Sequence, residues 1–430
     1  MKRRDFNLML ATALGVWVRV PRARAAAPRV NGARLNQSLQ DFGAIGRTAA
    51  GAQRVAYSPT DREARAFAMD LMRAARLDVT VDAAGNIIGR RAGTDASRPA
   101  VLFGSHIDSV PDGGDYDGVV GSLSAIEAAR TLAEQDVRTR HPLEVVIFQN
   151  EESGLMGSKA MVGILTERDL GLVNKSGTSV RDGIALLGGD PSRLGEARRA
   201  PGSIAAYLEL HIEQGAVLDE AGVNIGVVEG IVGIGWWDVT IEGFANHAGT
   251  TPMNRRKDAM LSAAKFVQAV NRIVRAEPGR QVGTVGRIEA LPGAPNVIPG
   301  LVRTSLEIRD LDAAKIAALY AKVEQVAREI GREDGTTFSF RQANDNQPAP
   351  TDPRIRDVIR RAARGLGLTT EDMPSGAGHD AQDMARLGPV GMIFVPSVGG
   401  ISHSPRELTR PADVENGANV LLATVVALAN

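Results

Sequence analysis

The sequence predicts an α/β protein with an inserted β-α-β-β-α-β domain, and three observations lead there. From Pro28 to about Gly230, short β-rich runs alternate with helical patterns, the signature of strands layered against helices. Residues 231–342 instead read strand, helix, strand, strand, helix, strand, which matches the ferredoxin-like split unit. At 430 residues the chain also exceeds one ordinary core, so a main domain (28–230 and 343–430) interrupted by a second (231–342) is the expected layout.

In the main domain, Val101–Phe103, Leu143–Phe148, Ala205–Leu210 and Val390–Phe394 are short apolar runs that read as buried strands. Asp61–Ala75 and Ser124–Glu134 carry apolar residues at helical spacing. In the insertion, Trp236–Ile241 alternates as a half-buried strand and Asp258–Ala276 is a long helical pattern. Val282–Ile288 and Val302–Ile308 read as strands, Ala313–Ile330 as the second helix and Thr336–Phe340 as the closing strand. The Pro- and Asn-bearing stretch Asn344–Pro353 predicts a linker back to the main domain.

Composition excludes several classes. Hydrophobic content of 43% with 23% charged residues is that of a soluble globular chain. Lys+Arg and Asp+Glu balance at 50 each, so no net field draws nucleic acid or anionic lipid. With no cysteine, any metal must rest on His, Asp and Glu. Residues 1–27 read as a signal peptide: Lys2-Arg3-Arg4 precede an apolar run from Phe6 to Val18, and Ala25-Ala26-Ala27 offers a cleavage site. That run is too short to cross a membrane core of ~30 Å as a helix, so no membrane span is expected. The pattern resembles a twin-arginine export signal and predicts a periplasmic or exported protein.

Four segments place hard-metal ligands directly after predicted strands. They are Gly104-Ser105-His106-Ile107-Asp108 running on to Asp117-Gly118, Asn150-Glu151-Glu152, Glu209-Leu210-His211-Ile212-Glu213-Gln214-Gly215, and Ser402-His403-Ser404. Ligands of open α/β sheets bind beyond the carboxyl ends of the strands. Imidazole and carboxylate together suit Zn²⁺ or a similar divalent ion. Two ions ~3.5–4 Å apart need a shared ligand, and Asp117, in a Gly-flanked turn, is the candidate bridge. His106 with Glu152 or His211 would fill one ion, and the remaining ligand with His403 the other. Asp108 is placed to accept the free ring N–H of His106. Of the neighbours Glu151 and Glu152, one can ligate while Glu151 stays free as general base for a bridging water. A lone His after a strand is ordinarily a packed or surface residue; four such segments together are not chance.

His247 lies in Asn246-His247-Ala248-Gly249-Thr250-Thr251-Pro252, between the insertion's first strand and helix. Either Thr250 or Thr251 caps that helix, or the loop is shaped for His247 to stabilise an oxyanion. Arg309, ending Val302–Ile308, is a surface ion-pair partner or a bidentate anchor for a substrate carboxylate. Asn296 is a turn residue or a substrate donor. His379-Asp380 reads as a capped helix start, and His141 as surface.

The motifs GSHIDSVPDGGDYDGVVG, QNEES, LELHIEQG, NHAGTTPM, GAPNVIP, LEIRD, SGAGHDAQ and ISHSP occur in this order. Together they resemble the hydantoinase/carbamoylase branch of the two-zinc aminoacylase–peptidase superfamily. That branch includes N-carbamoyl-L-amino-acid hydrolases, β-ureidopropionases and allantoate amidohydrolases. The resemblance implies a zinc-peptidase-like catalytic domain, with a mixed sheet flanked by helices, and an inserted lid and dimerisation domain. It implies two divalent ions, zinc first with manganese or cobalt as alternatives, held by His106, Asp117 (bridging), Glu152, His211 and His403, with Glu151 as base. Gln214, Asn296 and Arg309 would bind substrate, and His247 would reach the partner's active site in a homodimer. The implied reaction is hydrolysis of a ureido group, R–NH–CO–NH₂, in a small carboxylate-bearing substrate.

Exopeptidases of the superfamily usually carry an acidic ligand where His211 stands, so the HIEQG segment favours the carbamoylase side. After Glu152 the chain reads Ser153-Gly154-Leu155-Met156-Gly157-Ser158, shorter than the Gly-x-Arg-Phe-containing version common in the branch. The nearest rival is an aminoacylase or dipeptidase with the same metals, acting on N-acyl amino acids or peptides. A periplasmic binding protein is the rival from another class, and it needs neither metal nor adjacent Glu151 and Glu152.

Overall fold

A computed structural model describes residues 27–430; the expected signal peptide, Ala27 apart, lies outside the described residues. In chain order the principal strands begin with β1 (Asp78–Val81), β2 (Ile87–Arg91), β3 (Ala100–His106), β4 (Leu143–Phe148), β5 (Ile204–Ile212) and β6 (Ile225–Ile231). Next come β7 (Gly233–Glu242), β8 (Val282–Thr284), β9 (Ile288–Leu291), β10 (Leu301–Asp310) and β11 (Thr337–Asn346). The last are β12 (Ala349–Pro350), β13 (Thr370–Ser375) and β14 (Val390–Val395).

Nine strands form one mixed sheet in the order β12-β6-β14-β5-β3-β4-β2-β1, with β13 beside β6. At its centre β4, β3, β5 and β14 run parallel. Parallel strands need cover on both faces, and every residue of β3 and β4 is buried. One face lies under helices Gly32–Gly43, Pro59–Ala74, Val119–Glu134, Pro353–Gly365 and Pro411–Leu428 in a single apolar cluster. The other packs on Met156–Val162 and Asp380–Met384. The observed strands extend the predicted runs, so His106 is the last residue of β3 and His211 the last but one of β5. Both histidines therefore emerge at one carboxyl edge. No helix among the described residues is long and apolar enough to cross a membrane.

Residues 233–346 build a second, five-stranded sheet in the order β8-β10-β7-β11, with β9 also on β10. All its pairs are antiparallel. Helices Ala259–Ala276 and Ala313–Asp334 pack on it through Phe266, Val270, Leu319 and Val323, which meet Leu306 and Ile308 in a core separate from that of the large sheet. Because β10 lies between β7 and β8, the pair joined by the first helix is split, as the β-α-β-β-α-β order requires.

Three local expectations are corrected. The predicted strand Val282–Ile288 is two strands, β8 and β9. Thr284 pairs with Glu307 and Ile288 with Thr304, so four steps on one side oppose three on the other, and the extra residue forms a bulge. Thr304 Oγ1 donates to the Arg287 carbonyl there, filling a ladder position with a side chain. The predicted linker Asn344–Pro353 is mostly ordered pairing: β11 continues to Asn346 against β7, and β12 joins the large sheet through β6. Neither Thr250 nor Thr251 caps the first inserted helix; Asp258 does, accepting from Met260 N and Leu261 N.

Gly104 shows why the parallel centre tolerates little change. Its φ is 155°, and a Cβ would overlap the Val146 carbonyl oxygen on β4. Gly104→Ala is expected to cost about 2–3 kcal/mol, measured by urea unfolding; a loss below ~0.5 kcal/mol would show that β3 and β4 can separate freely.

Candidate active site

Asp117 stands at the centre of the carboxyl edge, 7% exposed. Its Oδ1 faces His211 Nε2 at 3.1 Å and His106 Nε2 at 3.5 Å. Its Oδ2 faces His403 Nε2 at 3.2 Å, and His403 Nε2 lies 3.6 Å from Glu152 Oε2. Two compact donor groups result, His106–Asp117–His211 and Asp117–Glu152–His403, with one carboxylate common to both. In this geometry His211 sits with His106, and Glu152 with His403.

The donor set fits a pair of divalent cations. His106 and His211 each direct Nδ1 at a main-chain carbonyl, Asp108 O at 3.1 Å and Ile212 O at 2.9 Å, which turns Nε2 toward Asp117. Glu152 Oε1 is buried without a hydrogen-bond partner. Burial opposes charge on Asp117, yet His211, His106 and His403 hold its carboxyl well below the usual range. The hydrogen bond with Asp117 lifts the His403 imidazole to about 9. Burial pushes Glu152 up to about 7 and Glu151 well above the carboxylate range, with His106 opposing in each case. Three carboxylates crowded in a poorly solvated edge call for positive charge, which divalent cations supply.

Main-chain geometry supports the cluster. Gly118 has φ 65°, and a Cβ there would overlap the His106 ring. Asn150, Gln214 and His403 also adopt positive φ, at 52°, 60° and 52°. Such strain in non-glycine residues gathers where side chains must be aimed. Asp108 behaves differently from expectation. Its carbonyl rather than its carboxylate meets His106 within hydrogen-bond distance; Oδ1 is 3.6 Å from Nδ1. The carboxylate instead accepts from Glu151 N and Glu152 N at 3.2 and 3.3 Å, fixing the loop that carries both glutamates.

Sequence reasoning missed Glu407. Its Oε1 accepts from Tyr116 N and Asp117 N at 2.9 and 3.0 Å, and its Oε2 from Ser402 Oγ at 2.9 Å. One carboxylate thus ties the Asp117 turn to the His403 loop. It lies only four residues past His403, but nothing in its spacing marks it. His379, read as a helix start, is buried against His211 with ring centroids 4.4 Å apart, and its Nε2 meets Ser375 Oγ at 2.8 Å. Burial first, then His211, pushes its imidazole well below the usual pKa.

A cavity of 450 Å³ opens onto the cluster, lined among others by Asp117, Glu151, Glu152, Gln214, Arg309, His379 and His403. Gln214 Nε2 donates to Asp117 Oδ2 at 2.7 Å. Arg309 donates Nε to Glu307 at 2.8 Å and Nη1 to the Gly376 carbonyl at 2.6 Å, so it spans the two sheets rather than pairing with Asp310 or Asp312. His247 and Asn296 are not among the residues lining that cavity. They sit together on an exposed face of the insertion, where Ala248 N donates to Asn296 O at 3.0 Å. His247 Nδ1 accepts from Gly249 N and Thr250 N, which leaves the ring proton to Nε2.

Residues 102–427 match the model of Peptidase family M20/M25/M40, well over half the chain. The chain belongs to that family. An N-carbamoyl-L-amino acid amidohydrolase of Geobacillus stearothermophilus is 40% identical over 406 residues, covering 93% of this chain and 99% of its own. A ureidoglycolate hydrolase of Arabidopsis thaliana is 37% identical over 388 residues, covering 87% and 82%. The crystal structure of an amidase of the hydantoinase/carbamoylase family from Burkholderia multivorans superposes with a TM-score of 0.86 at 37% identity, covering 93% and 98%. The M20 chain thus has its neighbours in the branch that the eight sequence motifs resemble.

Glu407→Ala should weaken divalent-ion binding about 10- to 100-fold, the usual loss when a ligand's support is removed. Calorimetric titration with zinc checks this, and unchanged affinity would show that Asp117 and His403 hold position without the clamp.

Proposed function

We propose that this M20 protein hydrolyses the C–N bond of an N-carbamoyl amino acid or a related ureido acid. The observation that carries the reading is Asp117 shared between two His/carboxylate donor groups at the floor of a cavity that also holds an arginine. The names of the relatives at 37–40% identity support the ureido class.

His106, Asp117 and His211 would hold one divalent ion, and Asp117, Glu152 and His403 the other, with zinc the first candidate and manganese or cobalt alternatives. Such ions, when bound, lower the pKa of water and polarise a carbonyl. The protein's own groups do the rest. Glu151 Oε2 lies 3.7 Å from His106 Nε2, so it reaches the cluster without belonging to either donor group. It takes a proton from the attacking water and returns it to the leaving nitrogen. Arg309 anchors the substrate carboxylate, and Gln214 hydrogen-bonds beside Asp117.

His247 and Asn296 serve a second copy of the chain in this reading: His247 offers Nε2–H to the developing oxyanion there, in a homodimer. Export through the twin-arginine route belongs to the proposal on the N-terminal pattern alone; replacing Arg3 and Arg4 by Lys should then retain the protein in the cytoplasm.

Ammonia release from N-carbamoyl amino acids, against hydrolysis of N-acetyl amino acids and dipeptides, tests the reaction class; preference for the latter would return the aminoacylase or dipeptidase reading. Glu151→Gln should keep its metal content by elemental analysis while kcat falls about 10²- to 10⁴-fold. Arg309→Ala should instead raise KM about 10- to 100-fold. Full turnover in the first, or an unmoved KM in the second, removes that residue from its role. Mixing Glu151→Gln with His247→Ala subunits should restore part of the activity that each lacks, and no recovery after subunit exchange would place His247 outside the reaction.

A further inference from the structure

A second cavity, of 500 Å³, adjoins the first and shares Gln214, Arg309 and Ala377 with it. Its walls are carbon from Val217, Met373, Pro374 and Ala377, with Glu213, Glu371 and Arg280 also present. Two of those charged groups are already engaged. Glu213 accepts from Val217 N and Leu218 N at 2.9 and 2.8 Å. Arg280 Nη1 donates to the Asp372 carbonyl at 3.1 Å and lies 3.5 Å from Glu229. Glu371 adds a second carboxylate opposite the two arginines Arg280 and Arg309, so the space is apolar with a charged margin. Its volume falls within the roughly 300–1,000 Å³ range of small-molecule sites.

Arg309 stands at the junction of the two cavities, with Glu307 and the Gly376 carbonyl holding its guanidinium across the gap. A substrate whose carboxylate meets Arg309 and whose ureido carbon faces Asp117 has one remaining substituent, the side chain on its α-carbon. We propose that the second cavity receives that side chain, and that the enzyme therefore selects N-carbamoyl amino acids with long apolar side chains over small or acidic ureido acids. This rests on the reaction proposed above and adds its substrate class. Each methylene moved from water to carbon walls is worth about fourfold in kcat/KM, whereas a second carboxylate set against the carbon of Val217, Met373 and Pro374 loses its hydration.

The test compares ammonia release from the N-carbamoyl derivatives of methionine, glycine and aspartate. The expected order is methionine over glycine by at least tenfold in kcat/KM, with aspartate below glycine. Val217 opens the helix Val217–Ala221 and is 48% exposed, so it can be changed without disturbing the core. Val217→Trp, which fills the cavity, and Val217→Asp, which makes its wall polar, should each lower the methionine-to-glycine ratio at least fivefold, the loss lying on the methionine side. A wild-type ratio near one, or a ratio that survives both variants, overturns the side-chain assignment while leaving the reaction class standing. Hydrolysis of none of the three derivatives overturns the reaction class, and the assignment with it.

Discussion

One carboxylate carries the organisation of this protein. Asp117 receives His106 and His211 on one oxygen and His403 on the other, and the residue is buried. A buried carboxylate costs several kcal/mol unless positive charge and hydrogen bonds surround it. The three imidazoles, Gln214 and Ser402 meet that requirement from three separate stretches of chain. Every one of those stretches must therefore arrive within a few tenths of an ångström, and the fold is arranged to guarantee it.

The guarantee begins with the parallel centre of the large sheet. Strands β3, β4, β5 and β14 deliver His106, the Glu151–Glu152 loop, His211 and the approach to His403 at the same edge. Parallel pairing fixes their relative height, and close contacts such as that at Gly104 leave no room for slippage. Two carboxylates then complete the work through the main chain. Asp108 holds the glutamate loop by its amides, and Glu407 holds the Asp117 turn against the His403 loop. Backbone strain at Asn150, Gln214 and His403 is sustained because the surrounding structure over-determines it.

Much of the fold was legible because its signals are local. The apolar runs of β3, β4, β5 and β14 and the helical spacing of Ala313–Asp334 depend on residues near one another in sequence. Two of the misread places have competing causes that are not local, and the third has a cause a few residues downstream. The bulge between β8 and β9 is stabilised by Thr304 on a different strand. Asp258 outcompetes Thr250 and Thr251 as a cap because Met253–Arg255 forms a short 3₁₀ turn that delays the helix. The stretch after Asn344, polar and proline-bearing, pairs because β7 and β6 present free edges to it.

For the site, sequence alone determined the chemistry available. With no cysteine, metal ligation fell to His, Asp and Glu, and the motif order identified which of them to watch. Which donors stand together was decided only in three dimensions: β3 lies between β5 and β4, and it is His211 from β5 that meets His106 around Oδ1 of Asp117. The same holds for Glu407, His379 and the second cavity beside Arg309. Their meaning lies in partners dozens to hundreds of residues away, and contact across such distances is set by packing, which no local pattern encodes.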